Sequence, residues 1–333
     1  IGLLCNFTCS YCAEYQRSGY GDTQKIMRAI DLLVERTRGR ELHILLGGGE
    51  PSIHPDIVPI AEHFFKKNVF LSMVSNGSRP PQIYLNLINY MREFTFSIHF
   101  EQKYQKTINT ILAVYNEIQR RNVLSSEPRR HIQANVMMAP GYFHEARETI
   151  ALMEKNKIPY IIRRIRPLFD KDSKPILNDR IKDRKVYERS NRNPEIVASD
   201  YGYYSSEELE FLRAQVYKVK KNTLEYWEDS NGNISTVESN ANDISLRKLN
   251  RFHGWNCWIG IERLHVYPNG DVYRSTCKQG GRLGNLYEDF EMPSEPVICG
   301  KQRCTCSWAI NTTKIKNKNY LSLFEHAPNA TNI

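Results

Sequence analysis

Three cysteines near the start of the chain have the spacing of metal ligands. Cys5, Cys9 and Cys12 follow one another in the order Cys-x3-Cys-x2-Cys. Three thiolates on one short loop can bind three irons of a cubane iron-sulfur cluster, and a fourth iron then stays open for another ligand. A disulfide framework is one alternative, although three crowded thiols cannot all pair among themselves. A zinc knuckle is another, but the nearest histidine, His43, lies well beyond the loop.

A second group of cysteines lies far along the chain. Its members are Cys257, Cys277, Cys299, Cys304 and Cys306. Such an uneven distribution predicts two separate metal sites, of which the second could also bind zinc. Because iron-sulfur proteins need reduced thiols, we expect a reducing compartment, the cytoplasm.

Elements that position the first cysteine loop are predicted over residues 1–167. Short apolar runs alternate there with segments of helical period, which is typical of parallel strands joined by crossover helices. The predicted strands are Ile1–Leu4, Glu41–Leu46, Val69–Ser75, Phe94–Phe100, Ile132–Met138 and Tyr160–Arg166, and the predicted helices are Thr23–Arg38 (capped by Asp22), Ile57–Lys67, Gln82–Met91, Gln102–Gln119 and His144–Asn156. The fold class is therefore α/β, a partial (βα)6 TIM-like barrel, with ligands expected at the carboxyl ends of its strands.

A glycine-rich turn ends the second predicted strand. The run is Leu46-Gly47-Gly48-Gly49-Glu50-Pro51. Consecutive glycines allow a ligand to approach the backbone closely, and a carboxylate follows directly.

The cysteine loop and this turn together resemble the two signatures of the radical S-adenosylmethionine (radical SAM) superfamily. The resemblance implies that Cys5, Cys9 and Cys12 ligate a 4Fe-4S cluster whose open iron is chelated by the amino and carboxylate groups of S-adenosyl-L-methionine. It also implies that Tyr11 lies near the adenine. Gly48, Gly49 and Glu50 would contact the methionine amino end.

Further cofactor-binding candidates lie at the ends of later predicted strands, where members of this superfamily place polar groups. Ser75 and Asn76 end the third strand, and Ser97 and His99 on the fourth lie where the ribose is usually held. Asn135 on the fifth strand and Arg164 or Arg166 on the sixth complete the set. Structural alternatives are a simple turn at Asn76-Gly77 and an interior histidine at position 99.

Residues 168–250 are predicted to form a connecting segment between the barrel and a final domain. It contains a helix over Ser205–Lys220, with Ser205 or Ser206 as its cap, and a hairpin of Leu224–Glu228 and Asn233–Val237. A second hairpin follows within the final domain, with strands Arg263–Tyr267 and Asp271–Arg274 around Pro268-Asn269-Gly270. Its Asn-Gly pair predicts positive φ at both central residues of the turn.

Residues 251–333 resemble the α+β auxiliary-cluster extensions called SPASM and twitch domains. The resemblance lies in the succession of Cys257, a hairpin, Cys277 and Leu283-Gly284-Asn285. Five cysteines are too few for the two clusters of a full SPASM domain, so a twitch-like arrangement with one auxiliary 4Fe-4S cluster is expected. One cysteine is then left over, either as a hydrogen donor to a substrate radical or as a buried spectator.

These features predict a radical SAM enzyme that abstracts hydrogen from its substrate. The expected reaction is peptide or protein modification, or oxidation or epimerisation of a small molecule, with flavodoxin or ferredoxin as electron donor. Alternatives are an RNA- or nucleobase-modifying radical SAM enzyme and a non-catalytic iron-sulfur or zinc protein that binds nucleic acid, which only the formal charge of +9 supports. The sequence contains no apolar run of about 18 residues, so no membrane span is expected. Since the first residue is Ile1, we expect the sequence to begin inside a longer protein.

Overall fold

A computed structural model describes most of the chain: residues 2–9, 11–12, 19–37, 39–124, 130–139, 141–165, 168–169, 175–176, 204–216, 223–228, 231, 233–304 and 306–316. It divides into two compact units, Ile1–Gln215 and Val216–Ile333. Among the described residues, every helix is too short or too polar to cross a membrane.

The first unit contains a five-stranded parallel sheet in the order β1-β2-β3-β4-β5. Its strands are β1 His43–Leu46, β2 Phe70–Ser75, β3 Glu93–His99, β4 His131–Met138 and β5 Tyr160–Arg164. They confirm five of the six predicted strands and are consistent with a partial TIM barrel. A short antiparallel pair follows, β6 Leu168–Phe169 and β7 Pro175–Ile176.

The predicted first strand, Ile1–Leu4, is wrong for its described residues 2–4. The β-pairing of this described segment is limited to an isolated antiparallel bridge between Gly2 and Tyr20. The Leu4 carbonyl instead accepts the backbone N–H of Glu50 at 2.8 Å. The segment is extended and apolar, as the sequence indicates, but its hydrogen bond goes to the loop after β1 rather than to a sheet ladder.

The helices of the first unit confirm the predicted crossover pattern, with ends shifted by a few residues. They are α1 Thr23–Arg36, α2 Ile57–Lys66, α3 Pro81–Leu87, α4 Tyr104–Leu124, α5 Phe143–Lys155 and α6 Ser206–Val216. Asp22 caps α1 by accepting the N–H of Lys25 at 2.8 Å. At α6, Ser205 and Glu208 form a capping box in which Ser205 Oγ accepts the N–H of Glu208 and the Glu208 carboxylate accepts that of Ser205.

The two faces of the sheet differ in chemistry because strand residues alternate. One face is apolar: Phe94, Phe96 and Ile98 on β3 are fully buried or nearly so in a core that includes α4. We call the opposite face the polar face, and on β3 to β5 it consists of Thr95, Ser97, His99, Gln133, Asn135, Met137, Ile161 and Arg163.

The second unit contains small antiparallel sheets and two short helices. Its elements are β8 Thr223–Glu228, β9 Ile234–Ser239, α7 Ala241–Leu246, β10 Asn256–Cys257, β11 His265–Val266, β12 Asp271–Tyr273, β13 Arg282–Asn285, β14 Asp289–Phe290, β15 Val297–Ile298, α8 Ser307–Ile310 and β16 Lys314–Ile315. Both predicted hairpins are confirmed, as β8–β9 and β11–β12.

The turn of the second hairpin differs from the predicted one. Of Asn269 and Gly270, only Gly270 has positive φ, at 87°. The N–H of Gly270 bonds to the Tyr267 carbonyl at 2.9 Å, so Pro268 and Asn269 are the central residues. Pro268 fixes a negative φ, which moves the turn one residue earlier and leaves Gly270 in the left-handed position.

The predicted domain boundaries after residues 167 and 250 stay predictions. Much of the predicted connecting segment, residues 170–174 and 177–203, lies outside the described residues.

Candidate metal and cofactor site

The glycine-rich turn after β1 makes room for the chain that leads into the cysteine loop. A Cβ on Gly49 would lie 2.2 Å from the carbonyl oxygen of Leu4, and one on Gly48 would lie 3.2 Å from that of Gly2. Gly48 also has φ of 113°, a conformation that favours glycine. The neighbouring Gly47 has nothing within 4 Å of its Cβ position. Contact of Gly48 and Gly49 with a methionine amino group stays a prediction.

Glu50 is buried beside this turn and is surrounded by hydrogen-bond donors. Its Oε1 accepts from the Ser52 N–H at 3.0 Å and from Ser75 Oγ at 2.8 Å, and its Oε2 accepts from the Asn76 N–H at 2.5 Å. Burial raises the pKa of the Glu50 carboxyl, and these bonds oppose that rise because they favour the charged form. Ser75 also bonds to the buried Tyr84 hydroxyl at 2.9 Å. Ser75 therefore lies on the core side of β2, where it orients Glu50.

Asn76 connects the end of β2 to the start of the cysteine loop. Its Nδ2 donates to Asn6 Oδ1 at 2.9 Å and approaches Cys5 Sγ at 3.9 Å. Its Oδ1 accepts the N–H of Ser78 at 3.0 Å, while Asn6 donates to Ser78 Oγ at 2.8 Å. Asn76 thus makes the expected turn and also holds the Cys5 end of the loop.

His99 at the end of β3 contacts the other end of the cysteine loop. The Tyr11 hydroxyl lies 2.7 Å from His99 Nδ1, the two rings stack with centroids 5.9 Å apart, and Phe7 meets His99 edge-on at 6.0 Å. Burial lowers the pKa of His99 to about 4, so the imidazole is neutral at pH 7. The family resemblance predicts Tyr11 near the adenine and His99 near the ribose. The structure brings these two side chains together, and their contact with a cofactor stays a prediction.

The three thiols of the loop lie close enough to influence one another. Cys9 is buried, and burial followed by the charges of Cys12, Glu101 and Cys5 raises the pKa of its thiol to about 12. A cationic metal centre removes such repulsion, because it favours the thiolate form of every ligand. The donor set therefore fits an iron-sulfur cluster. All eight cysteines are described, and none forms a disulfide.

Side chains that the sequence analysis did not select contact the segment that leads into α1. His54 Nε2 bonds to the Gly21 carbonyl at 2.9 Å, and Thr23 Oγ1 donates to Asp56 at 2.6 Å. The Tyr20 ring meets His54 edge-on at 5.4 Å. The signal that could have found them is the position of His54 and Asp56 directly after the glycine-rich turn.

A polar network crosses the polar face from β3 to β5. Asn135 donates from Nδ2 to Ser97 Oγ at 3.5 Å, and its Oδ1 accepts from Gln133 at 3.5 Å and from Arg163 Nε at 3.1 Å. The structure thus brings the candidates Ser97 and Asn135 together, and the arginine that joins them is Arg163. Their contact with a cofactor stays a prediction. Arg164 pairs in register with Met138, its side chain is outside what the structure describes, and Arg166 lies outside the described residues.

Four of the five cysteines of the second unit belong to one packed cluster of residues. Cys257 and Cys299 belong to a buried cluster, and Cys277 and Cys304 pack against it. Burial comes first among the causes that raise the pKa of Cys304 to about 12, and the charges of Cys277, Cys257 and Cys306 act in the same direction. Within the described residues, no three His, Cys, Asp or Glu side chains converge on a single metal-ion position.

Lys314 is a cation beside these thiols. It pairs in register with Cys257, and its charge lowers the pKa of the Cys257 and Cys304 thiols against the effect of burial. Its Nζ donates to the carbonyl groups of Ala309 and Thr312, among others, and lies 4.7 Å from the centroid of the Phe252 ring. The ammonium group is therefore held in place at the end of α8.

Comparison with known proteins finds one family model that matches about a third of the chain, and a set of solved structures. The family model described as "Radical SAM superfamily" matches residues 1–112. No curated protein matches this chain. Streptococcus suis SuiB bound to its precursor peptide SuiA is 11% identical with a TM-score of 0.50, and the match covers 87% of this chain and 61% of SuiB. SuiB bound to S-adenosylmethionine is 12% identical with a TM-score of 0.49, covering 86% and 62%.

An archaeal TYW1 structure is 12% identical with a TM-score of 0.29 and covers 65% of this chain and 66% of its own. The present chain thus spans about three fifths of the length of SuiB. At 11% identity, the likeness to SuiB bound to SuiA concerns the fold alone. Residues 1–112, which hold the cysteine loop, the glycine-rich turn, Asn76 and His99, match the radical SAM superfamily in sequence.

Proposed function

We propose that this protein is a radical SAM enzyme. The carrying observation is that a loop with three thiols is bonded to polar side chains at the ends of two parallel strands, Asn76 after β2 and His99 on β3. Cys5, Cys9 and Cys12 would hold a 4Fe-4S cluster there, with S-adenosyl-L-methionine on its open iron. Groups bound there would supply one-electron cleavage of the sulfonium, which releases methionine and provides a radical able to take a hydrogen atom from the substrate.

The residues of the chain supply position and exclusion of water. Glu50 and Asn76 fix the Cys5 end of the loop, and Tyr11 with His99 fixes the Cys12 end. The His99 imidazole is neutral, so it hydrogen-bonds to the Tyr11 hydroxyl without adding charge beside the cluster. No protein acid or base is required for hydrogen abstraction, so the site needs orientation more than proton transfer.

The second unit would hold one auxiliary 4Fe-4S cluster. Support comes from Cys257, Cys277, Cys299 and Cys304, which share one cluster of packed residues. Cys306 lies at the start of α8 and accepts a bond from Thr276 Oγ1 at 3.4 Å, so we assign it as the cysteine left over. The auxiliary cluster would transfer electrons or bind substrate, and flavodoxin or ferredoxin would reduce the protein.

Anaerobic reaction of the iron-loaded protein with dithionite and S-adenosyl-L-methionine tests the proposal. The expected product is 5'-deoxyadenosine, and Cys9→Ala, which lacks one thiolate, is expected to form none. A native protein that carries an intact, reduced cluster and still forms no 5'-deoxyadenosine would overturn the enzyme assignment.

A further inference from the structure

The polar face carries a partly buried guanidinium, that of Arg163, for which the described residues offer no carboxylate. Arg163 on β5 is partly buried, and burial alone lowers the pKa of its guanidinium. No ion pair joins it to any described Asp or Glu. A desolvated charge without a counter-ion is unfavourable, and an anionic ligand would compensate it.

The guanidinium is held in one orientation by its neighbours. Its Nε donates to Oδ1 of Asn135, which is only 8% exposed. Asn135 is itself fixed by bonds to Ser97 and Gln133. Since Nε is engaged by the protein, the two terminal nitrogens are the groups left to bind a carboxylate or phosphate end-on, with two parallel hydrogen bonds.

Arg163 lies at the carboxyl end of the sheet, in the same row as His99. Met137 is the register partner of both residues, so two strand spacings separate them. Neighbouring strands are about 4.8 Å apart, which places Arg163 roughly 10 Å from His99 across the sheet. His99 contacts Tyr11 of the cysteine loop. An anion at Arg163 would thus lie about one small molecule's length from the loop.

We propose that Arg163, oriented by Asn135, binds an acidic group of the substrate, a carboxylate or a phosphate. This inference rests on the proposed function, in which the carboxylate of S-adenosyl-L-methionine binds iron at the cysteine loop. The loop contacts the ends of β2 and β3, whereas Arg163 lies on β5, so the anion comes from a second molecule. The substrate class is then an acidic small molecule or a peptide with an acidic side chain or terminus.

Arginine labelling of the native, iron-loaded protein tests this site without knowledge of the substrate. Phenylglyoxal modification is followed at each arginine by mass spectrometry, with acetate or inorganic phosphate as the anionic probe. By mass action, a probe at about ten times its Kd is expected to slow the labelling of Arg163 about tenfold. Arg147, exposed on α5, is the matched control whose labelling should not change. Labelling of Arg163 that neither anion slows would overturn the proposal.

A second arm separates the two sources of a carboxylate. S-adenosyl-L-methionine and its decarboxylated analogue are compared as protecting ligands. If both compounds slow the labelling of Arg163 equally, or if neither does, the carboxylate of the cofactor is not the group at Arg163. Together with protection by acetate or phosphate, either outcome supports a substrate anion. Protection by S-adenosyl-L-methionine alone would assign the site to the cofactor and overturn the proposal. Formation of 5'-deoxyadenosine is measured separately, so failure of the enzyme assignment is distinguishable from failure of this site.

Discussion

The carboxylate of Glu50 accepts the backbone N–H of Asn76 at 2.5 Å, across 26 positions of the chain. Asn76 in turn donates to Asn6 in the cysteine loop. The Glu50 carboxylate therefore acts on the cysteine loop through Asn76. Both of its oxygens accept hydrogen bonds from the protein itself, so Glu50 positions Asn76 and, through it, the Cys5 end of the loop, while contact of Glu50 with a methionine amino group stays a prediction.

Replacing Glu50 by Gln is expected to destabilise the first unit and reduce its iron content. The amide nitrogen of Gln would have to face an N–H or hydroxyl donor, and an unsatisfied buried group costs about 1–3 kcal/mol. Urea unfolding and iron analysis check this. Glu148→Gln, at an exposed position, is the control and should change stability by less than about 0.5 kcal/mol. A Glu50→Gln protein with native stability and full iron would contradict the positioning role.

Two glycines of the same turn, Gly47 and Gly49, are expected to respond differently to substitution by alanine. At Gly49 the new Cβ would meet the Leu4 carbonyl oxygen at 2.2 Å, whereas at Gly47 it would meet nothing within 4 Å. Overpacking of this kind costs about 1–3 kcal/mol, so Gly49→Ala should lower the free energy of unfolding while Gly47→Ala leaves it nearly unchanged. Equal stabilities of the two variants in urea would show that residues 3–4 do not pack here.

The stability of the protein is expected to fall in acid through His99. Its pKa is about 4 in the folded chain against the ordinary value of 6.5, so the unfolded state binds a proton more readily between these values. The contribution is complete above pH 6.5 and is lost as the pH falls towards 4. The free energy of unfolding of both iron-free proteins is measured in urea across this pH range. That of the unsubstituted protein should fall, relative to that of His99→Gln, as the pH is lowered. Parallel profiles would be inconsistent with a buried neutral imidazole.

Iron analysis of a protein without the first site counts the second. With Cys5, Cys9 and Cys12 all replaced by Ala, about four irons per chain are expected to remain, the content of one cubane. Replacing both Cys257 and Cys304 by Ala should remove them, because the two remaining thiolates are fewer than the three that hold a cubane with one open iron, while Cys306→Ala should retain them. No iron would refute the auxiliary cluster, and zinc would assign a different metal to the site.

Local patterns in the sequence predicted much of this protein, and the failures share one cause. Strands β1 to β5 and the cap at Asp22 follow from short-range signals, namely apolar runs and a capping residue. The pattern of residues 1–4 predicts a strand equally well, but the partner of the described residue Leu4 is a loop that only the tertiary structure brings near. Which hydrogen bond an apolar segment makes is decided by such distant contacts, and no local pattern encodes them.

The same limit applies to single positions on the strands. Ser75 and Asn76 are adjacent, yet one faces the core with Glu50 and the other faces the cysteine loop. Arg163 and Arg164 are also adjacent, and a count of alternation from Asn135 through the register with Ile161 would have selected Arg163. The register between strands was the missing information.

Alternation along β3 and β4 has a consequence for how this protein can change. Phe94, Phe96 and Ile98 maintain the core, while Ser97, Asn135 and Gln133 lie on the other side of the same strands. Substitutions on the polar side leave the packing of the helices intact. Ligand preference can therefore drift in evolution, or be redesigned in the laboratory, without a change in the apolar core.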